Sequence, residues 1–258
     1  MSETAGKALG LFWILIAIFL VWFALAGMPW FAKHLPWSVE QKLNQKLGLI
    51  KGLHVCAVPD GVKALALIVS RLEHAGNKPL EFPVQIKVIE GEIKNAFASI
   101  GGEIYVYDSL LREIKSPEEL AGILSHEIEH VQQRHIVQSA ATHLFSYGIL
   151  HWVISGDVSG ALEFFRVLSN LKFTRHQEEE ADEGGLARLQ AAEIDPLGFQ
   201  QFFERLALNP TPATFLSDHA APKERAELVK KYSVIHPRVI LTTDEWKDLK
   251  GICQKTVP

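Results

Sequence analysis

Ser116-Pro117-Glu118-Glu119-Leu120-Ala121-Gly122-Ile123-Leu124-Ser125-His126-Glu127-Ile128-Glu129-His130 is the stretch on which the reading of this chain turns. Its first four residues are a helix start: Ser as the N-cap, Pro in the first turn where a missing N–H costs nothing, and Glu three residues after the cap. Ala121, Ile123, Leu124 and Ile128 give the helix an apolar side, so it packs in a core and does not stand free. The spacing predicts a helix from Pro117 past Arg134. Along it His126 and His130 lie one turn and about 40° apart, so both imidazoles leave one face at a separation that a single zinc ion bridges. Glu127 stands beside them, placed to take a proton from the attacking water and not to bind the metal.

Two histidines leave a catalytic zinc one short of its three protein ligands. In an HExxHxxGxxH arrangement positions 133 and 136 would be Gly and His, but they are Gln133 and Ile136, which closes that route. A carboxylate from a later helix remains. A helix is expected from about Leu162 to Ala192, stopped by Asp195-Pro196. On it, the run Glu178-Glu179-Glu180-Ala181-Asp182 offers three glutamates whose directions differ by about 100° each, so only one faces the metal.

Outward from these helices the chain reads as one domain. Phe82 to Ile89 alternates as a strand, and Asn95 to Ile100 and Ile104 to Tyr107 form a hairpin about Gly101-Gly102. A short strand is expected from Leu53 to Val58 and a helix from about Asp60 to His74. Ala140 to Ile154 is uncharged and reads as a buried helix or lid, too short for a membrane span. His135, His143, His151 and His176 read as ordinary helix residues. Cys56 and Cys253 stand far apart with no CxxC spacing, which excludes a zinc ribbon or a thioredoxin-like motif; two separate buried thiols are the plainer reading, and a single disulfide tying the two ends of the domain in an oxidising space is the alternative.

The 258 residues carry 26 Lys plus Arg against 30 Asp plus Glu, a net charge of −4, with 48% hydrophobic residues. That balance excludes a disordered chain and gives no electrostatic reason to expect nucleic acid. Much of the apolar content is concentrated between Leu9 and Met28, LGLFWILIAIFLVWFALAGM, which is long enough as a helix to cross a bilayer of about 30 Å. Trp30, Lys33, His34 and Trp37 follow as headgroup anchors would. The small-x-small run Ala24-Leu25-Ala26 offers a cleavage site, yet the apolar run exceeds a signal-peptide core, so an anchor is expected. The resulting division is a tail at 1–8, a transmembrane anchor at 9–28 in contact with lipid, a juxtamembrane stalk at 29–50 with a short helix, a catalytic domain at 51–235 and a C-terminal tail at 236–258. The catalytic domain is expected on the extracytoplasmic side of a single-pass membrane protein.

Asn95-Ala96-Phe97-Ala98, Gly101-Gly102, Ile104-Tyr105-Val106, the helix through His130, and Arg175-His176-Gln177-Glu178-Glu179-Glu180-Ala181-Asp182 together resemble the HtpX and Oma type of membrane-associated zinc metallopeptidases, relatives of the CAAX prenyl proteases. The resemblance covers roughly residues 50 to 232. It implies an α+β, zincin-like fold, mainly helical with a small mixed sheet, behind one N-terminal transmembrane helix. It also implies one zinc ion per chain on His126, His130 and Glu178, with Asp182 accepting a hydrogen bond from a ligand histidine. Asn95 and Ala96 would belong to an edge strand that pairs with an extended substrate. His219, ahead of Arg225, matches the place of a family histidine that stabilises the oxyanion or brakes the site, although Ala220 stands where the family usually has Pro. Glu179 and Glu180 are left as a solvated face.

The expected function is therefore a membrane-anchored zinc metalloendopeptidase acting on unfolded or membrane-proximal proteins in quality control. A catalytically silent chaperone or adaptor that keeps the zinc fold is the alternative. An intact Glu127 favours the enzyme, since a pure zinc scaffold has no use for that base.

Overall fold

The computed structural model describes residues 3–23, 27–47, 53–75, 80–147, 166–208 and 222–254. Helices α1 (Glu3–Trp22), α2 (Met28–Lys33), α3 (Trp37–Leu47) and α4 (Pro59–Glu73) lead into strands β1 (Gln85–Ile89), β2 (Ala96–Ala98) and β3 (Glu103–Tyr107). Helices α5 (Asp108–Glu113), α6 (Pro117–Gln132), α7 (His135–Tyr147), α8 (Arg175–Ala191), α9 (Leu197–Leu208), α10 (Pro222–Val229) and α11 (Thr243–Lys250) follow. The fold is mainly helical around a small mixed sheet of order β1-β3-β2, parallel between β1 and β3 and antiparallel between β3 and β2.

Helix α6 is the axis of the domain. Its N-cap Ser116 accepts from the Glu119 backbone N–H, and Pro117 occupies the first turn. Every residue from Glu119 to Val131 is buried. α8 crosses it on one side, α9 packs on another, and β2 lies against it. Two glycines set these distances. A Cβ on Gly185 of α8 would lie 3.1 Å from the His126 backbone nitrogen, and one on Gly122 of α6 would lie 2.5 Å from Phe199 Cβ on α9. The helices therefore approach backbone to backbone, and α8 comes near enough for short carboxylates to reach the histidines of α6.

The zinc-motif helix does not run past Arg134 as its sequence predicts. It ends at Gln132, and Arg134 takes a left-handed φ of 63°. The reason is what the two side chains there hold. Gln132 bonds to the backbone of Glu81 and Phe82 as a strand would, accepting at 2.9 and 3.2 Å and donating at 2.7 Å. Arg134 pairs with Glu40 of α3 at 2.5 Å, donates to the Leu35 carbonyl at 2.6 Å, and lies over Phe82 at 4.9 Å from the ring centre. Glu40 is buried, which raises its carboxyl pKa, while the Gly101 amide and Arg134 offset part of that penalty. Breaking such a buried pair from one side typically costs about 3–5 kcal/mol, enough to fix a left-handed residue.

Other expectations also shift. α8 starts at Arg175, not Leu162, because Thr174 and Gln177 form a reciprocal capping box that defines the helix start; residues 148–165, with part of the Ala140–Ile154 stretch, lie outside the described residues. Leu53–Val58 forms only a single antiparallel bridge, Val55 to Ile89. Within 236–258, α11 packs on α4 and carries a second capping box. Lys250 Nζ donates to the carbonyls of Leu111, Arg112 and Ile114. Cys56 and Cys253, read as separate thiols, are joined in a disulfide across a sequence separation of 197. A loop of that size lowers the entropy of the unfolded chain enough to stabilise the fold by about 5 kcal/mol.

The expected membrane span at 9–28 and the single-pass localisation built on it are corrected. Among the described residues no helix is long and apolar enough to cross a membrane. As described, α1 begins on polar residues including Lys7 and runs to Trp22, and its uncharged part, Ala8 to Trp22, rises about 22 Å against the 30 Å of a hydrocarbon core. The extracytoplasmic placement of a single-pass protein rested on that span and falls with it.

Gly122→Ala tests the α6–α9 contact. Alanine favours a helix interior by about 1 kcal/mol, but overpacking a core typically costs about 1–3 kcal/mol. We expect a net loss of about 1 kcal/mol or more in urea unfolding; a variant as stable as the parent would mean that α9 yields freely.

Candidate metal centre

His126 and His130 leave α6 on the side that faces α8, as the i, i+4 spacing requires, and both are completely buried. Their Nε2 atoms stand 3.0 Å apart. Glu178, in the first turn of α8, brings Oε2 to 3.6 Å from His126 Nε2 and Oε1 to 3.5 Å from His130 Nε2. Among the described residues these three make the group whose donor atoms converge as a metal site needs. Donors about 2.0–2.1 Å from a tetrahedral ion sit about 3.3 Å from one another, which is the spacing found. Of the three neighbouring glutamates, Glu178 is buried in the site, Glu179 is exposed, and Glu180 is half-buried and turned elsewhere.

The protonation pattern makes the case for a cation stronger. His126 Nδ1 lies 2.8 Å from Asp182 Oδ1. Arg225, on α10, donates from Nε to Asp182 Oδ2 at 2.8 Å and from Nη2 to Oδ1 at 2.5 Å. Burial alone would raise the Asp182 carboxyl, yet Arg225 and the His126 hydrogen bond together hold it below the usual carboxylate range. An ionised Asp182 needs a donor, so the proton of His126 sits on Nδ1 and the Nε2 lone pair points into the site. Arg225 Nη2 is also 2.9 Å from that Nδ1, but the nitrogen cannot accept while it donates to Asp182. Burial, then the Arg225 charge, lowers the His126 pKa to about 3, so its ring stays neutral at ordinary pH. A neutral lone pair and a carboxylate that meet within 3.6 Å in a dry site are what a divalent cation neutralises.

Glu127 is wholly buried, and its Oε2 accepts from the Ala98 backbone N–H of β2 at 2.8 Å. β2 is an edge strand, with a ladder partner on one side among the described residues. Asn95 O accepts from Tyr107 N and Ser99 N donates to Glu103 O, so Asn95, Phe97 and Ser99 direct their backbone toward β3. By the alternation of an antiparallel ladder, Ala96 and Ala98 direct theirs to the open edge, the side of Glu127. Asn95 is buried, with its amide 3.4 Å from the Ser169 carbonyl. A groove of about 540 Å³ opens between α8 and α10, lined by Arg175, Glu178, Asp182, Lys223, Arg225 and Leu228. His219 lies outside the described residues.

Sequence reasoning passed over several parts of the site. His135, read as an ordinary helix residue, is 2% exposed with Nδ1 3.0 Å from His130 Nδ1. Glu180, read as solvated, approaches His135 Nε2 at 3.2 Å. Phe173 stacks on His130 with centroids 3.9 Å apart. No periodic pattern marks these, because each depends on the break at Arg134 or on the late start of α8. Arg225 was the one with a signal, standing six residues beyond His219.

The family model for peptidase family M48 matches residues 62–233 of the chain. The chain is similar to the beta-barrel assembly-enhancing protease of Escherichia coli K12, 25% identical over 68% of this chain and 39% of that protein. It is 30% identical to the mitochondrial metalloendopeptidase OMA1 of Arabidopsis thaliana over 65% of this chain and 36% of that one. Metalloprotease LoiP of Escherichia coli K12 is 29% identical over 60% of this chain and 65% of its own length. The chain thus spans well under half the length of the first two.

Stability of the metal-free protein follows from the buried rings. His126 drops to about 3, and His135, through burial and then the neighbouring His130, to about 2. Below the ordinary value of 6.5 the unfolded chain takes up protons that the folded one refuses, so stability falls as pH falls from about 6.5 toward 3. Each ring contributes up to about 1.4 kcal/mol per pH unit in that window. Urea midpoints of chelator-treated protein should drop between pH 7 and pH 5; a flat or rising profile would mean that the rings are protonated in the fold.

Proposed function

The chain belongs to peptidase family M48, and from that premise we propose that it is a zinc-dependent endopeptidase, with one zinc ion held by His126, His130 and Glu178. The observation that carries the reading is the convergence of those three buried donors beside Glu127, a carboxylate held by the backbone of an edge strand. Zinc at that position supplies a Lewis acid that polarises the scissile carbonyl. Every other part of the chemistry belongs to the chain.

Glu127 takes the proton of the attacking water and returns it to the leaving amine, acting as base and then acid. Its hydrogen bond from Ala98 keeps one oxygen fixed. Asp182, held ionised by Arg225, keeps His126 in the tautomer whose Nε2 can bind metal. The open edge of β2 receives an extended peptide through the backbone groups of Ala96 and the carbonyl of Ala98, since the Ala98 N–H is engaged and the Asn95 carbonyl already serves β3. Recognition through backbone tolerates many side chains but demands an extended strand. That favours unfolded segments of proteins as substrates and a place in protein quality control.

The test compares wild type with Glu127→Gln on an unfolded protein while bound zinc is measured. Gln can still accept from Ala98, so the local structure should hold while the base is lost. We expect cleavage to fall about 10²–10⁴-fold with zinc content unchanged. Glu178→Gln should lose zinc and Glu179→Gln should keep it. If wild type and Glu127→Gln both bind zinc and neither cleaves any member of a broad panel of unfolded proteins, the chain is a zinc-bearing adaptor and the enzyme reading fails.

A further inference from the structure

Each ligand histidine needs its Nδ1 proton held if Nε2 is to face the metal. For His126 the holder is Asp182. For His130 the neighbour of Nδ1 is a second imidazole, Nδ1 of His135 at 3.0 Å, and the far nitrogen of His135, Nε2, lies 3.2 Å from Glu180 Oε2. Resting on the metal-centre reading above, we propose that His135 and Glu180 form a two-member relay that fixes the tautomer and orientation of His130, making both positioning residues for metal binding.

Donor and acceptor counting gives the relay a single direction. With Nε2 of His130 given to the metal, its proton is on Nδ1 and must donate. His135 can accept at Nδ1 only as a neutral ring whose own proton sits on Nε2. That proton then donates outward to Glu180, whose side chain is 39% exposed and whose Oε2 accepts it. Every polar hydrogen in the row has an acceptor, and every ring is neutral. Burial of His135 at 2% exposure disfavours a charged ring, consistent with that state. The ring of Phe173, stacked on His130, closes the other face.

Placement of the relay needs one departure from regular helix and a second face of α8. Five residues along a continuous helix, His135 would point about 140° away from His130. The end of the helix at its C-cap Gln133 and the left-handed Arg134 turn it back beneath His130, and the Arg134 pairs with Glu40 and Leu35 hold that turn. Glu180 sits about 200° around α8 from Glu178, on a different face of the helix. That face, with Gln177, runs along α7, where Ser139 lies 3.4 Å from the Gln177 side chain. One helix therefore serves both ligand histidines. Its α6 face carries Glu178 and Asp182, and its α7 face carries the carboxylate that reaches His130 through His135. The exposed His176, 3.7 Å from the other Glu180 oxygen, is a surface pair and is not needed for the relay.

Zinc affinity by competition with a chelator reads the proposal directly, with metal-free urea unfolding as the structural control. His135→Phe keeps a flat ring and removes the acceptor, so zinc affinity should fall about 10–100-fold. His135→Asn restores an acceptor oxygen near the Nδ1 position and should hold zinc within a few-fold of wild type. Glu180→Ala should weaken binding several-fold and Glu180→Gln, which keeps an acceptor, hardly at all. The relay is wrong if His135→Phe binds zinc as tightly as wild type, or if His135→Asn loses as much as His135→Phe. Should His135→Phe fail to fold, Glu180→Ala against Glu180→Gln decides in the same way. His126→Ala and Glu178→Gln serve as reference: if they hold zinc like wild type, the metal centre itself is misassigned, whereas tight dependence on them with no effect at His135 and Glu180 removes the relay alone.

Discussion

Groups whose lone pairs repel one another converge in the interior of this domain: two imidazole nitrogens 3.0 Å apart and the Glu178 carboxylate, one of whose oxygens lies within 3.6 Å of each nitrogen. The remainder of the fold is arranged to make that convergence tolerable. An isolated carboxylate in such a place costs several kcal/mol, so the structure surrounds it with a neutral His126, an Arg225–Asp182 pair that sets the tautomer of that ring, and space for a cation. Arg225 lies 4.3 Å over the Phe203 ring, which gives its buried charge an aromatic floor on α9. A side chain of the last-but-one helix thus joins the core packing of α9 to the paired histidines of α6.

Backbone proximity is the second requirement, and it comes from small residues. Ala181 and Gly185 on α8 face α6, and a side chain at Gly185 would press against the backbone at Ser125 and His126. Glu178 and Asp182 share this face, one turn apart, so one close crossing delivers both the carboxylate that meets the two histidines and the partner of His126. A larger residue at the crossing would move both carboxylates outward together. The ligand set and its support are therefore one geometric decision, made where two helices touch.

Much of this was legible in the sequence. The cap at Ser116, the buried face of α6, the HExxH spacing and the hairpin about Gly101-Gly102 are local patterns, and local patterns read from sequence with little loss. Choosing Glu178 over Glu179 and Glu180 needed the resemblance, because helix phase alone separates their directions without saying which one faces α6. What failed was decided at a distance. Arg134 breaks α6 for the sake of Glu40, ninety-four positions earlier in the chain, and no window around 134 contains that demand. Cys56 and Cys253 look unrelated until α11 folds back on α4. The apolar run near the N-terminus was weighed by composition: its residues count toward a span, but among the described residues no helix is long and apolar enough to be one.

The bond between Glu127 and Ala98 has a consequence for how substrate and base are aligned. The edge strand that would receive a peptide in the proposed function is the same strand whose amide holds the Glu127 carboxylate, so the register of such a peptide on β2 and the position of the Glu127 oxygen would be fixed by one backbone segment. A flexible loop in that role would let the two vary independently, and a 1 Å error in a near-attack geometry can cost a hundredfold in rate. β2 is only three residues long, but it is pinned by β3 on one side and by α6 on the other. Its shortness then works in favour of alignment, because there is little strand free to bend between the ladder with β3 and the bond to Glu127. Alanine at 96 and 98 fits the same requirement, since a bulky side chain on either would have to be placed between the strand and the helix that carries the metal ligands.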